Sequence, residues 1–583
     1  MHPPGNGTRF AAHARSLIPA LSWLSSYRRQ NLGGDLTAGL IVAVMLIPQA
    51  MAYALLAGLP PVVGLYAATI PLILYALFGS SRHLAVGPVA IVSLFTLAAV
   101  ERLAEPGSDE FVALALLLAL LAGAIQLLLG IVRAGFLVKF LSHAVVSGFT
   151  SAAAIIIGLS QLKHLLGFDL ENSENIFALL ASALRSAGDT HPETLLIGGT
   201  SIAALILLRR WNRRIPAPLV IVVIATLAVY FLNLDSHGVS VVGDVPAGLP
   251  GISVPEMDAT AAGSLLVPAL TISFVGFMES IAVAQSIAAR EKYRVDANQE
   301  LRALGIANIG AGFFGGYPVT GGFSRSAVNY QAGARTGLAS IITAGLIIIT
   351  LLLFTDLFYY LPNAVLAAIV IVAVAGLVDI KEPVRLFRIK RPDAATLALT
   401  FVATLTLGIE PGILIGVGFS LLVFIWRTAH PHTAEMGYLP DLGVFRNIKR
   451  YPEAQTFPEA VILRIDESLY FANSSFLVDR IREALFNRPD VRWVVLDFWS
   501  VNDMDAVAIE TLESLMAQYR ASGVRFIFAG VKGPLRDLMQ RAGWDRRDID
   551  ADIHYLSVHH ALQSIGLLEN ESIARDRVPD LTH

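Results

Sequence analysis

The chain has 583 residues, 55% of them hydrophobic and 15% charged, with a formal net charge of −3. Soluble domains carry about 25% charged residues, so the composition excludes an ordinary soluble protein and describes a chain that crosses a membrane many times. Cysteine is absent, which excludes disulfides, thiol catalysis and cysteine-held metals, and the charge balance gives no sign of a nucleic-acid partner.

Residues 1–30 are polar and basic and hold no apolar core long enough for a cleaved signal peptide. Within them, 17–24 reads as a short amphipathic helix on the membrane surface. Apolar runs follow at 36–57, 62–79, 87–100, 111–132, 143–160, 193–208, 217–232, 263–288, 299–315, 322–332, 336–355, 363–378, 393–408 and 411–426, which makes fourteen spans. Several are shorter than the ~20 residues of a full crossing. Counted from a cytoplasmic N-terminus, the inside loops carry Arg28 and Arg29, Arg82, Arg133 and Lys139, Arg209, Arg210, Arg213 and Arg214, Arg290, Lys292 and Arg294, Arg335, and then Lys381, Arg385, Arg388, Lys390 and Arg391. The outside loops at 101–110, 233–258, 356–363 and 410–412 are acidic or neutral, and 161–192 is mixed. This alternation predicts both termini on the cytoplasmic side. Fourteen spans divide into two sevens, and an odd-numbered half enters the membrane inverted in its second copy. The third run of each half is short and follows a break, Gly87-Pro88 in one and Pro318 with Gly321-Gly322 in the other. Short, interrupted segments at matching places in two halves point to a binding site made of half-helices.

Polar residues inside these runs are the candidates for chemistry. Gln49 follows Pro48 in the first span, with Tyr53 one turn on. Gln49 either lines a substrate site or repairs the helix ladder that Pro48 breaks. Glu279 stands in the eighth span among Phe274, Val275, Phe277, Met278, Ile281 and Val283. An intramembrane carboxylate is a proton-relay candidate, or one half of an ion pair, here with Arg325. Gly310, Gly312, Gly315 and Gly316 suit close helix packing; no P-loop lysine follows them. His143 and His164 lack metal-ligand spacing and are expected at the interface. Residues 317–329 (YPVTGGFSRSAVN) combine Thr320, Ser324, Arg325 and Ser326 with helix breakers, predicting an extended lead-in over 317–320 and a helix starting near Gly322. Such a start carries partial positive charge and free N–H groups. Arg325 in its first turn makes sense beside an anion, or else in a structural ion pair or a cytoplasmic loop.

After Trp426 the composition changes. Residues 429–458 read as a polar connector with four prolines, Pro431, Pro440, Pro452 and Pro458. Strand-like 460–466, helical 474–485, strand-like 491–498, helical 506–520, strand-like 524–529 and helical 534–542 then form a small soluble α/β unit over 459–571, with a frayed tail at 572–583. The division expected is thus 1–35 as an N-terminal segment, 36–428 as the transport domain, and these three C-terminal parts.

At these residues the chain resembles the SulP (sulfate permease) family of anion transporters, whose animal relatives include prestin. Residues 61–82 (PVVGLYAATIPLILYALFGSSR) carry the most specific match, departing at Val63, a packing position where the signature prefers tyrosine. Ile47-Pro48-Gln49, Arg82-His83 with Val86-Gly87-Pro88, DANQELRAL at 296–304, Phe323-Ser324-Arg325-Ser326 and LPNAVLAAIV at 361–370 extend it. The C-terminal unit resembles the family's cytoplasmic STAS domain, with Ala506 after Met504-Asp505 where soluble relatives carry a phosphorylatable serine. The resemblance implies an all-α polytopic fold of intertwined seven-span inverted repeats, spans 1–4 and 8–11 as a mobile core and spans 5–7 and 12–14 as a gate. It places the anion between the starts of spans 3 and 10, with site residues on Gln49, Tyr53, the backbone around Val89, Ser324 and Arg325. Glu279 matches a carboxylate associated with cation coupling.

The expectation is a secondary active transporter of a small anion, sulfate, bicarbonate or a dicarboxylate, working by alternating access as an H⁺/anion symporter, with Glu279 as the proton carrier. Sodium-coupled bicarbonate uptake and an anion exchanger or channel are the alternatives, and Glu279 followed by Ser280 does not decide between proton and sodium. The absence of a catalytic cluster argues against an enzyme, and no cofactor or metal is expected. Expected partners are the anion, the coupling ion, membrane lipid and a second copy in a homodimer, in the inner or plasma membrane of the cell.

Overall fold

The structure is a computed structural model that describes residues 18–136, 142–168, 175–211, 216–253, 255, 258–544 and 551–569. The tail at 572–583, the first seventeen residues of the N-terminal segment, and Lys139, Arg213 and Arg214 lie outside the described residues. The chain divides into two units, Met1–Ser420 and Leu421–His583.

The helices of the first unit fall on the expected spans. Span 1 is Arg29–Leu56, one helix running through Pro48. Span 2 is built from two pieces, Pro61–Ala67 and Ile70–Phe78, each with proline in its first turn, where the missing N–H costs nothing. Span 3 is Ala90–Val100, span 4 Asp109–Ile131, span 5 His143–Ser160, span 6 Pro192–Trp211 and span 7 Ala217–Leu232. The second half repeats this with Ala259–Glu291, Ala297–Phe313, Phe323–Gln331, Leu338–Leu353, Asn363–Ala375, Arg391–Leu407 and Ile409–Ala429 as spans 8 to 14. Asp258 and Asp296 cap spans 8 and 9 by accepting first-turn N–H groups, as Ser108 does for span 4. Helix Ala20–Ser25 overlaps the segment 17–24 expected as a surface helix, with Leu21 and Leu24 exposed. Two further short helices, Ile176–Ser186 and Lys381–Ile389, occupy the loops before spans 6 and 13.

The inverted repeat shows in how spans pack. Span 4 lies against span 8, and span 11 against span 1; span 3 meets span 8, and span 10 meets span 1. Span 5 packs on span 13, and span 12 on span 6. Each pair maps onto the other when spans 1–7 are exchanged with spans 8–14. Glycine allows a close contact between spans 4 and 9 as well. A Cβ on Gly123 of span 4 would stand 2.6 Å from the Ile309 amide nitrogen and 2.7 Å from the Gly305 carbonyl oxygen of span 9. Those are backbone atoms that cannot rotate away. Gly123→Val is therefore expected to lower stability by about 1–3 kcal/mol, the range for forced overpacking. The check is the thermal unfolding midpoint in detergent; an unchanged midpoint would mean that spans 4 and 9 separate freely.

Two buried carboxylates fasten the ends of this bundle. Asp35 of span 1 accepts the backbone N–H groups of Arg335 and Thr336 at 2.6 and 3.0 Å and the Thr336 hydroxyl at 2.7 Å. Glu300 of span 9 accepts the Tyr75 hydroxyl at 2.6 Å and the Ser80 backbone N–H and hydroxyl, both at 2.7 Å.

The second unit is a six-stranded sheet. Its strands are Thr433–Leu439 (β3), Val444–Asn447 (β4), Ala460–Ile465 (β5), Trp493–Asp497 (β6), Arg525–Ala529 (β7) and Ala551–Tyr555 (β8), in the order β4-β3-β5-β6-β7-β8. Strands β5 to β8 are parallel, and β3 runs antiparallel to both β4 and β5. The two-residue periodicity of β5 puts Val461, Leu463 and Ile465 on one face and Ala460 and Ile462 on the other, each in its own core. Helices Ser474–Leu485, Ala506–Arg520 and Gly533–Arg541 cover the first face and Val558–Ser564 the second. The segment at 429–458 is thus not a plain connector: it supplies two strands. Pro431 and Pro440 suggested irregular chain, but both stand just outside β3, where no ladder N–H is needed. Inside the strand, Ala434 and Met436 join the same core as Ala460 and Ile462.

Candidate anion site between two half-helices

Spans 3 and 10 are the shortest of their halves, with 11 and 9 residues. At 1.5 Å per residue they extend about 16 and about 14 Å, half the hydrocarbon thickness. Each follows a two-residue strand, Val86–Gly87 (β1) and Thr320–Gly321 (β2), and the two strands pair antiparallel, Val86 opposite Gly321 and Gly87 opposite Thr320. The helix starts therefore meet at one crossing point. Their N-caps, Val89 and Gly322, are extended and have no side-chain cap. The first-turn N–H groups of both helices consequently lack helical partners and leave two positive dipole ends side by side.

The crossing is held by polar side chains from the surrounding spans. Ser280 of span 8 accepts the Gly321 N–H at 2.8 Å and lies 2.7 Å from the Thr320 hydroxyl, which donates to the Gly276 carbonyl at 2.6 Å. Asn308 of span 9 accepts the Val319 N–H at 2.7 Å and donates to the Val319 carbonyl at 3.0 Å. Ser326 accepts the Ala85 N–H at 2.9 Å, and Asn329 donates to the His83 carbonyl at 3.0 Å. The hydroxyls of Tyr317 and Ser93 lie 2.8 Å apart. Thr320 and Ser326 stood out in the sequence, whereas the roles of Ser93, Asn308 and Asn329 escaped it. Asn308, a lone amide in an apolar run, was the signal available for one of them.

Arg325 is buried in the first turn of span 10, 2% exposed. Its Nε donates to the Ala85 carbonyl at 3.1 Å and its Nη1 to the Pro88 carbonyl at 3.0 Å, with Nη2 3.5 Å from the Thr320 carbonyl. The guanidinium thus lies across the crossing strands. Gly87, at φ +152°, allows this approach, since a Cβ there would come within 3.3 Å of Nη2. Its hydrogen-bond partners are neutral carbonyls, so the positive charge is not cancelled. The ion pair considered between Arg325 and Glu279 is not formed: the backbone of the crossing takes the guanidinium, and the carboxylate is left to attract it at longer range. Glu279 Oε2 is enclosed without a hydrogen-bond partner among the described residues. Asp35 and Glu300, carboxylates with no exposed surface, are saturated with donors. Buried polar groups are normally satisfied, so the exception calls for a function or a ligand.

All six candidate residues line one small cavity of about 90 Å³: Gln49 and Tyr53 from span 1, Val89 at the start of span 3, Glu279 from span 8, and Ser324 and Arg325 from span 10. Ala90 and Ile91 of span 3, Gly322 and Phe323 at the start of span 10, and Ala373, Val374 and Leu377 of span 12 and its end complete the wall. The span 12 residues were not legible as site residues because they are apolar. Apart from Glu279, the polar wall offers N–H groups, a guanidinium, an amide and hydroxyls, a donor-rich set suited to an oxyanion. No cluster of three or more metal-ligating side chains occurs among the described residues.

Comparison with known proteins agrees with this architecture. The profile of the Sulfate permease family matches residues 32–400 and that of the STAS domain residues 451–561. The chain is 40% identical over 567 residues to the chloroplastic sulfate transporter 4.1 of Arabidopsis thaliana, covering 94% of this chain and 82% of the relative. It is 37% identical over 525 residues to a probable sulfate transporter of Mycobacterium tuberculosis, covering 90% of this chain and 94% of the relative. Among solved structures, the murine anion transporter Slc26a9 in its inward-facing state superposes with a TM-score of 0.87 at 25% identity, over 97% of this chain and 95% of that one. The transmembrane domain of the cyanobacterial bicarbonate transporter BicA shares the fold, with a TM-score of 0.59 at 24% identity over 68% of this chain and 98% of that one.

Proposed function

The chain belongs to the sulfate permease family of multi-pass anion transporters, and on that premise we propose that it is a proton-coupled symporter of a small oxyanion, sulfate by the names of its relatives. One observation carries the reading: Glu279, unpartnered, shares a cavity with two uncapped helix starts and the charge of Arg325. The helix starts and the guanidinium attract the anion. An anion bound there adds negative charge beside Glu279, and neutralising that carboxylate with a proton removes the repulsion. Anion and proton then load together. Sodium is the weaker candidate, because the Ser280 hydroxyl beside Glu279 is already engaged by Thr320 and Gly321.

Alternating access follows from the unequal walls. The polar lining lies on spans 1, 3, 8 and 10, with the anion-attracting groups on spans 1, 3 and 10 and the carboxylate on span 8, whereas span 12 contributes apolar contacts only. An apolar wall slides without breaking hydrogen bonds, so the core spans can shift against it and open the cavity to either side. The arginine-rich loops support a topology with both termini on the cytoplasmic side of an inner or plasma membrane.

The test is uptake of labelled sulfate into proteoliposomes. An inward proton gradient is expected to drive accumulation that a protonophore abolishes, and bicarbonate and dicarboxylates added as competitors read the selectivity. Accumulation driven by a sodium gradient, and indifferent to pH, would overturn the coupling.

A further inference from the structure

A second, larger cavity of about 660 Å³ lies apart from the anion site, sharing none of its lining residues. Four arginines line it: Arg28 at the start of span 1, Arg82 after span 2, Arg294 after span 8, and Arg335 before span 11. All four belong to loops on the arginine-rich side of the membrane. No carboxylate lines the cleft. The acidic groups nearby lie behind the cleft wall and hold its backbone and hydroxyl donors, from Arg335 and Thr336 and from Ser80 and Ser81. Asp35 and Glu300 accept several donors each, and Asp296 caps span 9. Glu291 reaches Arg335 only at 3.9 Å and accepts the Tyr330 hydroxyl. Arg82 lies over the Tyr293 ring at 5.2 Å. Four like charges around one open space repel one another, and a polyvalent anion between them removes the repulsion. Guanidinium forks match phosphate oxygens, and the volume is that of a ligand site.

The flank of the cleft bears on the source of such an anion. Leu32, Leu36 and Leu40 of span 1 are each about half exposed and recur at intervals of four, starting four residues after Arg28. They form one outward stripe with a cation at its foot. Leu21 and Leu24 on the surface helix, whose Trp23 lines the cleft, are also exposed. A phospholipid has this pattern, with a charged head below two apolar chains. We propose that the cleft binds a phosphate group, and that the leucine stripe selects the phosphate of an anionic phospholipid over a soluble compound.

The test uses the full chain. For the lipid arm, protein is reconstituted in phosphatidylcholine with a minor share of phosphatidylglycerol, re-extracted, and its retained lipid quantified by mass spectrometry. For the soluble arm, inorganic pyrophosphate is titrated calorimetrically against protein in neutral detergent. Arg28→Gln/Arg294→Gln removes two exposed cleft charges, and Arg290→Gln/Arg388→Gln removes two exposed charges outside it. The expected result is enrichment of phosphatidylglycerol by the wild type, reduced about tenfold in the cleft variant and kept in the control variant. Pyrophosphate binding that the cleft variant loses, without lipid enrichment, supports the phosphate site and overturns the lipid source. Equal retention by wild type and cleft variant, equal loss in both variants, or no binding in either arm overturns the site. Unfolding midpoints of both variants within the wild-type range confirm that fold is not the cause.

Discussion

Replacing Arg325 by alanine is expected to weaken binding of the proposed substrate, sulfate, by about 1.5–3 kcal/mol, roughly tenfold to a hundredfold in Kd, the range for a hydrogen bond to a charged group. The guanidinium has two tasks in the structure, and the prediction separates them. It supplies the permanent positive charge of the cavity, and it ties the Ala85 and Pro88 carbonyls to the start of span 10. Alanine removes both. Lysine keeps the charge but cannot reproduce the fork that reaches two carbonyls at once. If charge dominates, Arg325→Lys recovers part of the affinity lost in Arg325→Ala. If the brace dominates, lysine binds no better than alanine, and both variants show a lowered unfolding midpoint. Calorimetric titration of sulfate onto the purified protein reads the affinity. An alanine variant with unchanged Kd would move the anion out of this cavity.

The span pattern was legible because a bilayer leaves the chain little choice. Backbone groups must be satisfied within each helix, so apolar length and loop charge carry most of the information. The half-helices were legible for the converse reason: Gly87-Pro88 and Pro318 with Gly321-Gly322 cannot continue a helix, and both became the crossing strands and their flanks. Gln49, Tyr53, Glu279, Ser324 and Arg325 could be picked out because each is a polar change in an apolar run, Val89 came from the family resemblance alone, and all six meet at one cavity. What sequence could not supply was direction. Nothing near Arg325 shows that its partners are carbonyls more than 230 positions earlier, so a pairing with Glu279 was the nearest guess. Asp35 fell in the polar N-terminal segment by composition, yet it is a buried anchor for residues 300 positions away. The apolar wall from span 12 resembles every other apolar stretch. In the second unit, prolines hid β3 and β4, because their harmless placement beside the strand depends on a register that only the sheet reveals.

Glu279→Gln is expected to uncouple the transporter while leaving its anion site intact. Glutamine fills the same space as a protonated glutamate and carries no charge, so the variant is fixed in the loaded-proton condition. In the proposed mechanism the ionised carboxylate of the wild type opposes an incoming anion across the cavity, and a proton on it removes that opposition. Linkage makes the effect reciprocal: acid pH tightens sulfate binding, and bound sulfate favours the proton on Glu279. The sign gives a clear readout. Wild-type affinity falls as pH rises, whereas the Gln variant binds with one affinity throughout, close to that of the wild type in acid. Transport separates the two more sharply. With the membrane potential clamped at zero, one coupled proton supports about tenfold accumulation per pH unit, because a unit of pH is 1.36 kcal/mol. Wild-type proteoliposomes should approach that ratio under an inward proton gradient. Those holding Glu279→Gln should exchange internal for external labelled sulfate but gain no net accumulation, since the variant no longer releases a proton inside. Equal accumulation by both proteins would make Glu279 a structural residue. An unpartnered carboxylate facing a cavity that attracts anions would then be left without a role, and the proton path would have to lie elsewhere among the spans.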